Sequence, residues 1–413
     1  MELWKRNLYI LWAAQFIVMG SMSMVIPFLP LYIEEMGITD PETVSRWAGI
    51  IFGANFLTAF LVSPLWGTLA DRYGRKIMLL RSAFGMALTV SLMAFTGSPV
   101  QLLLLRLTNG LISGFGPAST SLIAASTPKD RTGYAMGVLQ SGAVAGSIMG
   151  PFIGGLLAEW IPFRDIFFVT GVLLLLVALL VLVAVKEDFK KAGVKEKVDF
   201  PGGFSEVMKR QPLPALFSLG MLIQFAVTSA QPLLPLFVQE MHPESRHIAL
   251  YAGLVPAVTG VATMIAAPLL GRLGDQKGIH RVLFYSSLAA TVFLVPQALV
   301  TTIGGLLTVR FFVGMAIGGL TPSVNALIRR FAPKGHESTT FGYSNSALFL
   351  GNVLGPVIGG FSAGWIGIRG VFLLSAVLFA INTLWMRYVF RHSAGLAFTS
   401  SDETTKNQDG GQI

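Results

Sequence analysis

Twelve long apolar stretches dominate this chain of 413 residues and constrain its fold more than any other feature. They lie at about 8–33, 46–69, 77–96, 99–124, 134–158, 163–185, 213–238, 248–271, 281–300, 302–325, 341–362 and 367–390. A helix needs roughly 20 apolar residues to cross a bilayer. The stretches are continuous rather than alternating, which favours helices over a barrel. We therefore predict an all-α integral membrane protein with twelve transmembrane helices.

The composition supports this prediction. Charged residues make up 12% of the chain and hydrophobic residues 53%, whereas a soluble domain carries about 25% charge. These values argue against a soluble enzyme, a disordered protein and a coiled coil. The first apolar stretch is also longer than the 7–15 residues of a signal peptide, so we interpret it as the first membrane helix. The absence of cysteine excludes disulfides and thiolate chemistry.

The basic residues predict the orientation. If both termini lie in the cytoplasm, 24 of the 30 Lys and Arg residues fall in cytoplasmic segments, and four fall in outer loops. Cytoplasmic loops of membrane proteins carry such an excess. The net charge of +9 is therefore explained by topology, and we expect no nucleic-acid partner.

An internal repeat relates the two halves of the chain at an offset of 204 or 205 residues. The matched pairs include Pro27 with Pro232, Gly67 with Gly271, Arg106 with Arg310, Gly150 with Gly355, and Trp160 with Trp365. Six crossings return the chain to the same side, so the halves form a parallel repeat. We predict six-helix bundles at 1–185 and 213–393, a cytoplasmic linker at 186–212 and a disordered cytoplasmic tail at 394–413. Transporters built in this way bind substrate near the midplane between the halves.

The loop after the second stretch concentrates charge and glycine. It contains Gly67, Asp71, Arg72, Gly74 and Arg75. One interpretation is a basic loop that only sets topology. The other is a small charge network in which Asp71 pairs with Arg75 or with a helix terminus and stabilises one conformational state.

This loop closely resembles the signature of the major facilitator superfamily, and 271–278 is a degraded copy of it. The segment Arg106–Gly110 resembles the span-4 motif of the superfamily. The segment 146–155 and the Pro27/Pro30 pair resemble motifs of its twelve-span drug:proton antiporters. The opening 4–8 and the string 63–67 resemble the multidrug exporters of that branch. The resemblance covers almost the whole chain. It implies the major facilitator fold, a bacterial-type inner membrane, and protons as the coupling ion.

The same resemblance suggests roles for individual residues. It places Asp130 in a cytoplasmic network with Asp71 and Arg75, and it implies proton transfer for Arg106. From the residues themselves, Asn109 and Ser113 share a helical face with Arg106, and we expect that face to border the central cavity. An Arg that only satisfies helix carbonyls is the alternative.

Several intramembrane amides are further candidates for contact with substrate, because polar side chains in a membrane are costly. They are Gln15, Asn55, Gln140, Gln224, Gln231, Asn325, Asn345 and Asn352. The alternative is that some of them form hydrogen bonds between helices instead. Arg310 lacks a polar stripe beside it, so we interpret it as structural.

Glycines recur every four residues on two helices and predict close helix packing. The set comprises Gly142, Gly146, Gly150, Pro151, Gly154 and Gly155 in the first half, with Gly351, Gly355, Pro356 and Gly359 in the second. Besides ordinary packing, these faces can form a sliding seam between states.

None of the 21 acidic residues falls inside the core of a predicted span. The nearest include Glu34 and Glu35, at the outer end of the first span and candidates for coupling or gating. Drug:proton antiporters often carry a membrane-embedded acid. Its absence here favours neutral, zwitterionic or anionic substrates and weakens the prediction of proton coupling.

The sequence contains no phosphate-binding loop of an ATPase and no catalytic or zinc-binding constellation. We predict a monomeric secondary transporter, without enzyme activity, cofactor or metal, that exports drugs or other amphipathic small molecules in exchange for protons. The alternative is a carrier of the same fold for one metabolite or anion, not necessarily coupled to protons.

Overall fold

Helices account for nearly all of the structure that can be described. The computed structural model describes residues 2–128, 131–187, 207–209, 212–243, 245, 247–333 and 337–397, with only the backbone for Pro64, Thr68, Asp71, 337–339 and 389–397. Its helices are α1 Leu3–Met24, α2 Leu29–Glu35, α3 Pro41–Tyr73, α4 Arg75–Met93, α5 Pro99–Ile112, α6 Phe115–Ser126, α7 Thr132–Leu157, α8 Phe163–Ala184, α9 Leu213–Ser229, α10 Leu234–Met241, α11 Ile248–Lys277, α12 Ile279–Leu299, α13 Ile303–Ile317, α14 Leu320–Phe331 and α15 Glu337–Ala397.

Ten segments of the described chain are long and apolar enough to cross a membrane. The helices α5 and α6 together are long enough for a further crossing, with a break at Gly114, where φ is 131°. The helix α15 holds two crossings, because its backbone leaves the helical region at Gly367 with φ of 70°. Only glycine adopts such φ values readily. The prediction of an all-α integral membrane protein is therefore confirmed, and the count of twelve crossings stays a prediction.

The helix bundle has two opposite ends, which we define by the turns that connect its helices. The basic end carries Leu3, Gly74 and Gly278, and the far end carries Gly37, Ser98 and Thr302. At the far end, helices start on side-chain caps. The carboxylate of Asp40, for example, accepts a hydrogen bond of 2.9 Å from the Thr43 amide and another from the Thr43 hydroxyl. The bond from the hydroxyl, followed by the bond from the amide, lowers the pKa of Asp40.

The repeat is visible in the helix geometry. A short 3₁₀ turn at Ile26–Phe28 joins α1 to α2, and a matching turn at Gln231–Leu233 joins α9 to α10. Packing repeats as well, since α1 packs on α7 as α9 packs on α15, and α3 packs on α5 as α11 packs on α13. The proline that each turn carries removes a backbone donor, which explains the breaks.

The apolar core of the first half continues into the second half at the far end. Leu233, Phe237 and Val255 belong to the same buried cluster as Phe28 and Ile51. A separate cluster, including Leu216 and Leu327, fills the rest of the second half. The two halves are therefore in tight contact at the far end.

Most of the predicted linker and tail lies outside the described residues. Of the linker, the structure describes 186–187, 207–209 and 212. The helix α15 continues to Ala397, four residues into the predicted tail, because no proline interrupts it there. Residues 398–413 lie outside the described part.

Candidate functional site

Two glycine seams join the halves at the far end. A Cβ atom on Gly155 of α7 would lie 3.2 Å from the Gly253 Cα of α11 and 2.5 Å from the carbonyl oxygen of Ala249. The second seam is its repeat counterpart, since a Cβ on Gly360 of α15 would lie 3.2 Å from the Gly49 Cα of α3. Only residues without side chains allow backbones to approach this closely.

Polar side chains reinforce the same end. The Gln239 side chain donates a hydrogen bond of 3.1 Å to the carboxylate of Glu34. His247 also pairs with Glu159. Each contact joins the first half to the second. Glu35, the other predicted gating carboxylate, is exposed at the end of α2.

Four glycines near the basic end face open space. Added Cβ atoms on Gly67 of α3, Gly137 of α7, Gly271 of α11 and Gly342 of α15 would meet no atom within 4 Å. These are the same four helices that touch at the far end. We infer that the halves separate at the basic end, and we call the resulting opening the cleft.

The predicted cavity residues differ in exposure. Gln140, Asn325 and Asn345 are exposed in the basic-end half of the bundle. Asn55, Ser113, Gln224 and Gln231 are half-buried, whereas Gln15, Arg106 and Asn109 are buried. Exposure within this set is therefore greatest for the three amides nearest the basic end.

Arg106 is a buried cation on α5. It is 8% exposed, and its Nε atom has no hydrogen-bond partner among the described residues. No described carboxylate forms an ion pair with it. An unpaired guanidinium inside a membrane protein is costly, so this site attracts a partner that carries negative charge or acceptor atoms.

Asn109 lies one helical turn away, and both polar atoms of its side chain form hydrogen bonds. Thr89 donates to the Asn109 Oδ1 atom at 2.9 Å, and Asn109 donates to the Asn55 Oδ1 atom at 2.9 Å. This chain links α4, α5 and α3, and Asn109 is fully buried. The structure places Asn109 in helix packing rather than on an open face beside Arg106.

The second half also contains a hydrogen bond between amide side chains of two helices. Gln224 of α9 donates to the Asn352 Oδ1 atom of α15 at 2.7 Å. Gln15 of α1 differs, because its Oε1 atom is buried without a hydrogen-bond partner among the described residues. A buried acceptor of this kind is costly to leave unsatisfied, so Gln15 remains a candidate for contact with substrate.

The predicted glycine faces lie against backbone within each half. The Cβ positions of Gly142 and Gly146 lie against Trp12 and Phe16 of α1, and those of Gly351 and Gly355 against Met221 and Phe225 of α9. In the same way, Gly150 and Gly154 face α1, Gly359 faces α9, and the carbonyls of Pro151 and Pro356 face Gly253 and Gly49. One helix thus packs both within its half and across the seam.

Glu187 organises the charges at the basic end. Its carboxylate accepts hydrogen bonds from the backbone amides of Arg75 and Lys76, at 3.0 and 2.7 Å. These amides start α4, where the helix dipole favours a negative charge. The Arg75 side chain also donates to the Ser121 hydroxyl at 2.8 Å. Sequence reasoning missed Glu187, which stands just after the sixth apolar stretch.

The other members of the predicted network differ in how much of them the structure describes. The side chain of Asp71 and all of Asp130 lie outside the described part of the chain. Arg72 is exposed at the end of α3, and its guanidinium lies 5.3 Å from the ring centre of Tyr73. Gly74 separates α3 from α4.

Comparisons with known proteins agree with this architecture. A family model described as Major Facilitator Superfamily matches residues 11–304 and 247–407. The chain is 37% identical to "Multidrug resistance protein MdtG" of Enterobacter lignolyticus (strain SCF1), over 97% of this chain and 96% of the relative. It is 38% identical to the protein of the same name from Rahnella sp. (strain Y9602), over 92% of each.

Solved structures show the same fold at low identity. One is a bacterial homolog of the human lysosomal transporter Spinster in an inward-facing, occupied conformation. It superposes with a TM-score of 0.81 at 15% identity, covering 95% of this chain and 98% of that one. The nucleoside transporter NupG superposes with a TM-score of 0.78 at 14% identity, over 94% and 99%.

Proposed function

Because this chain belongs to the Major Facilitator Superfamily, we propose that it is a secondary transporter that exports several unrelated drugs or other amphipathic small molecules. The observation that carries the proposal is the 37% identity to a multidrug resistance protein over 97% of the chain. The open cleft at one end and the two closed seams at the other support alternating access as its mechanism.

In this proposal, the two halves move as rigid bodies. We take 1–185 and 213–393 as the two bundles and 186–212 as the segment that lets them rock. With the basic end in the cytoplasm, as the charge distribution favours, the cleft opens inward and loads substrate from the cytoplasm or the inner leaflet. A cysteine replacing Thr39 should then react with an impermeant thiol reagent in intact cells, whereas one replacing Gln276 should not.

Proton coupling is the proposed energy source. One charge moving down 100 mV releases about 2.3 kcal/mol, enough for roughly 50-fold accumulation. The carboxylate best placed to link a proton to movement is Glu34, because it is half-buried at the far-end seam and accepts a hydrogen bond from the other half.

A second candidate function rests on Arg106. Its buried, unpaired guanidinium favours a carrier for one anionic or zwitterionic metabolite. The two functions differ in breadth of substrate and need not share a coupling ion.

The susceptibility of cells to drugs distinguishes the two candidate functions. A bacterial host without its own drug exporters should gain resistance to several unrelated compounds when it makes this protein. Dissipating the proton gradient in inside-out vesicles should abolish uphill drug uptake. Unchanged susceptibility to every compound, together with a growth requirement for a single nutrient, would contradict drug export and support the metabolite carrier.

A further inference from the structure

A groove in the second half lies apart from the cleft. It is a cavity of about 600 Å³ between α11, α12 and α13, within the roughly 300–1,000 Å³ typical of ligand sites. Lys277 and Arg281 border it at the basic end, and Leu269, Phe293 and Phe312 line it deeper in the bundle. From Arg281 to Phe293 the helix α12 rises by roughly 18 Å, so the groove has a charged mouth and a long apolar interior.

The first half fills the corresponding space with its own side chains. The guanidinium of Arg81 lies 3.4 Å from the ring centre of Trp66. The Trp66 indole donates to the Leu111 carbonyl at 2.8 Å, and Arg81 donates to the Ser113 carbonyl at 3.1 Å. The stacked pair therefore plugs the space between α3, α4 and α5.

The second half lacks this plug. At the repeat offset of 204, Trp66 corresponds to Leu270 and Arg81 to Tyr285. Both of these residues line the groove, and Tyr285 is 65% exposed. The smaller, uncharged pair leaves open the space that tryptophan and arginine occupy in the first half.

The charges at the mouth are also unmatched. Lys277 and Arg281 are exposed, and neither forms an ion pair with a described residue. Arg330 lies nearby and adds to the positive field. In the first half, by contrast, the carboxylate of Glu187 lies at the equivalent helix start.

We propose that this groove binds an anionic phospholipid of the leaflet at the basic end. Its phosphate lies at Lys277 and Arg281, and an acyl chain lies among Leu269, Phe293 and Phe312. Basic pockets between transmembrane helices bind lipid head groups in this way. Leu269 is 55% exposed and Phe312 43% exposed, so the groove is open to a chain arriving from the side.

Photocrosslinking tests the proposal on the full-length protein in lipid nanodiscs. Phosphatidylglycerol with a photoreactive acyl chain should label peptides of α11, α12 and α13 more strongly than the matching phosphatidylcholine. The double variant K277Q/R281Q should lower phosphatidylglycerol labelling roughly tenfold or more. The control R272Q removes an exposed charge that does not border the groove, and it should change labelling little.

A second variant tests the apolar part. The double variant L270W/Y285R rebuilds the plug of the first half and should abolish groove labelling by both lipids. Equal labelling by both lipids that K277Q/R281Q leaves unchanged would overturn the proposal. Groove labelling that a transported drug displaces, but excess unlabelled phosphatidylglycerol does not, would also overturn it and assign the groove to substrate.

Discussion

The side chain of Gln239 donates a hydrogen bond of 3.1 Å to the carboxylate of Glu34, and this bond joins the two halves of the protein at the far end. It crosses the molecule beside two glycine seams, so it stabilises the state in which the far end is closed. Because a transporter must break such contacts in every cycle, their strength sets the balance between its states.

Removing this bond should shift that balance. A half-buried bond to a carboxylate contributes about 1 kcal/mol, so Glu34→Ala should raise the population open at the far end roughly fivefold. The reporter is a cysteine replacing Ala249, which is 8% exposed at the seam. The chain has no cysteine of its own, so labelling reports this position alone.

The adjacent Glu35 provides the control. It is exposed, and Glu35→Ala should leave labelling of the Ala249 cysteine near the wild-type rate. Equal effects of the two variants would mean that charge near the seam, rather than the bond to Gln239, controls the opening.

A side chain at the glycine seam should block closure of the far end. In Gly155→Leu the new side chain meets the Ala249 carbonyl oxygen and the Gly253 backbone, and backbone cannot move aside as a flexible side chain does. We expect uphill transport to fall to background while the Ala249 cysteine becomes reactive. Transport assays in vesicles and thiol labelling measure the two effects.

The matched control is Gly304→Leu. Gly304 lies in the first turn of α13, where a Cβ meets no atom within 4 Å. This variant should be inserted and transport at near wild-type rates. If Gly155→Leu behaved in the same way, the seam would not need the close approach seen here.

Glu187 should contribute to stability at the basic end. A carboxylate at a helix start is worth about 0.3–1 kcal/mol and up to about 2 kcal/mol when partly buried, and Glu187 is half-buried. Glu187→Gln should therefore lower the melting temperature in detergent and slow transport a few-fold.

Asp71→Asn should likewise reduce transport with insertion intact, as the network interpretation of its loop requires.

Glu2→Gln is the comparison for both variants. Glu2 is exposed and pairs with Lys5 within one turn, an arrangement worth little at a surface. A loss of transport in Glu2→Gln as large as in Glu187→Gln would indicate a general charge effect rather than a specific contact.

The sequence predicted the fold well because the length of the apolar stretches, the basic loops and the repeat depend on how the chain crosses the membrane. None of them depends on which side chains contact each other. The bends at Pro27 and Pro232 also follow directly from proline chemistry. Hydrogen-bond partners were less predictable. Helical spacing puts Asn109 on the face of Arg106, but the two amide-mediated bonds of Asn109 depend on where α3 and α4 lie.

Contacts far apart in sequence were missed for the same reason. Glu187 reaches amides more than a hundred positions away, and nothing in the local sequence marks it among the other charges of its segment. The Trp66–Arg81 pair was also missed, since its significance appears only when the repeat counterparts Leu270 and Tyr285 are compared in three dimensions.

Arg106 and Arg310 form a natural pair for testing substrate recognition. Both are 8% exposed, and each has an Nε atom without a partner in the described chain. They differ in surroundings, because the Arg310 guanidinium lies 5.9 Å from the ring centre of Phe372. The aromatic face offers Arg310 a cation–π contact, whereas no described aromatic ring lies against the Arg106 guanidinium.

Arg106→Gln should therefore reduce transport far more than Arg310→Gln. Contacts between a charged group and a hydrogen-bonding partner are worth about 1.5–3 kcal/mol, so uptake of anionic or zwitterionic compounds should fall roughly tenfold to a hundredfold. Arg106→Lys keeps the charge and should retain part of the activity, which separates charge from hydrogen-bond geometry. Vesicle uptake at matched protein levels measures all three variants. If Arg106→Gln is inserted normally and transports these compounds at the wild-type rate, Arg106 is a packing residue and substrate selection lies with exposed amides such as Gln140.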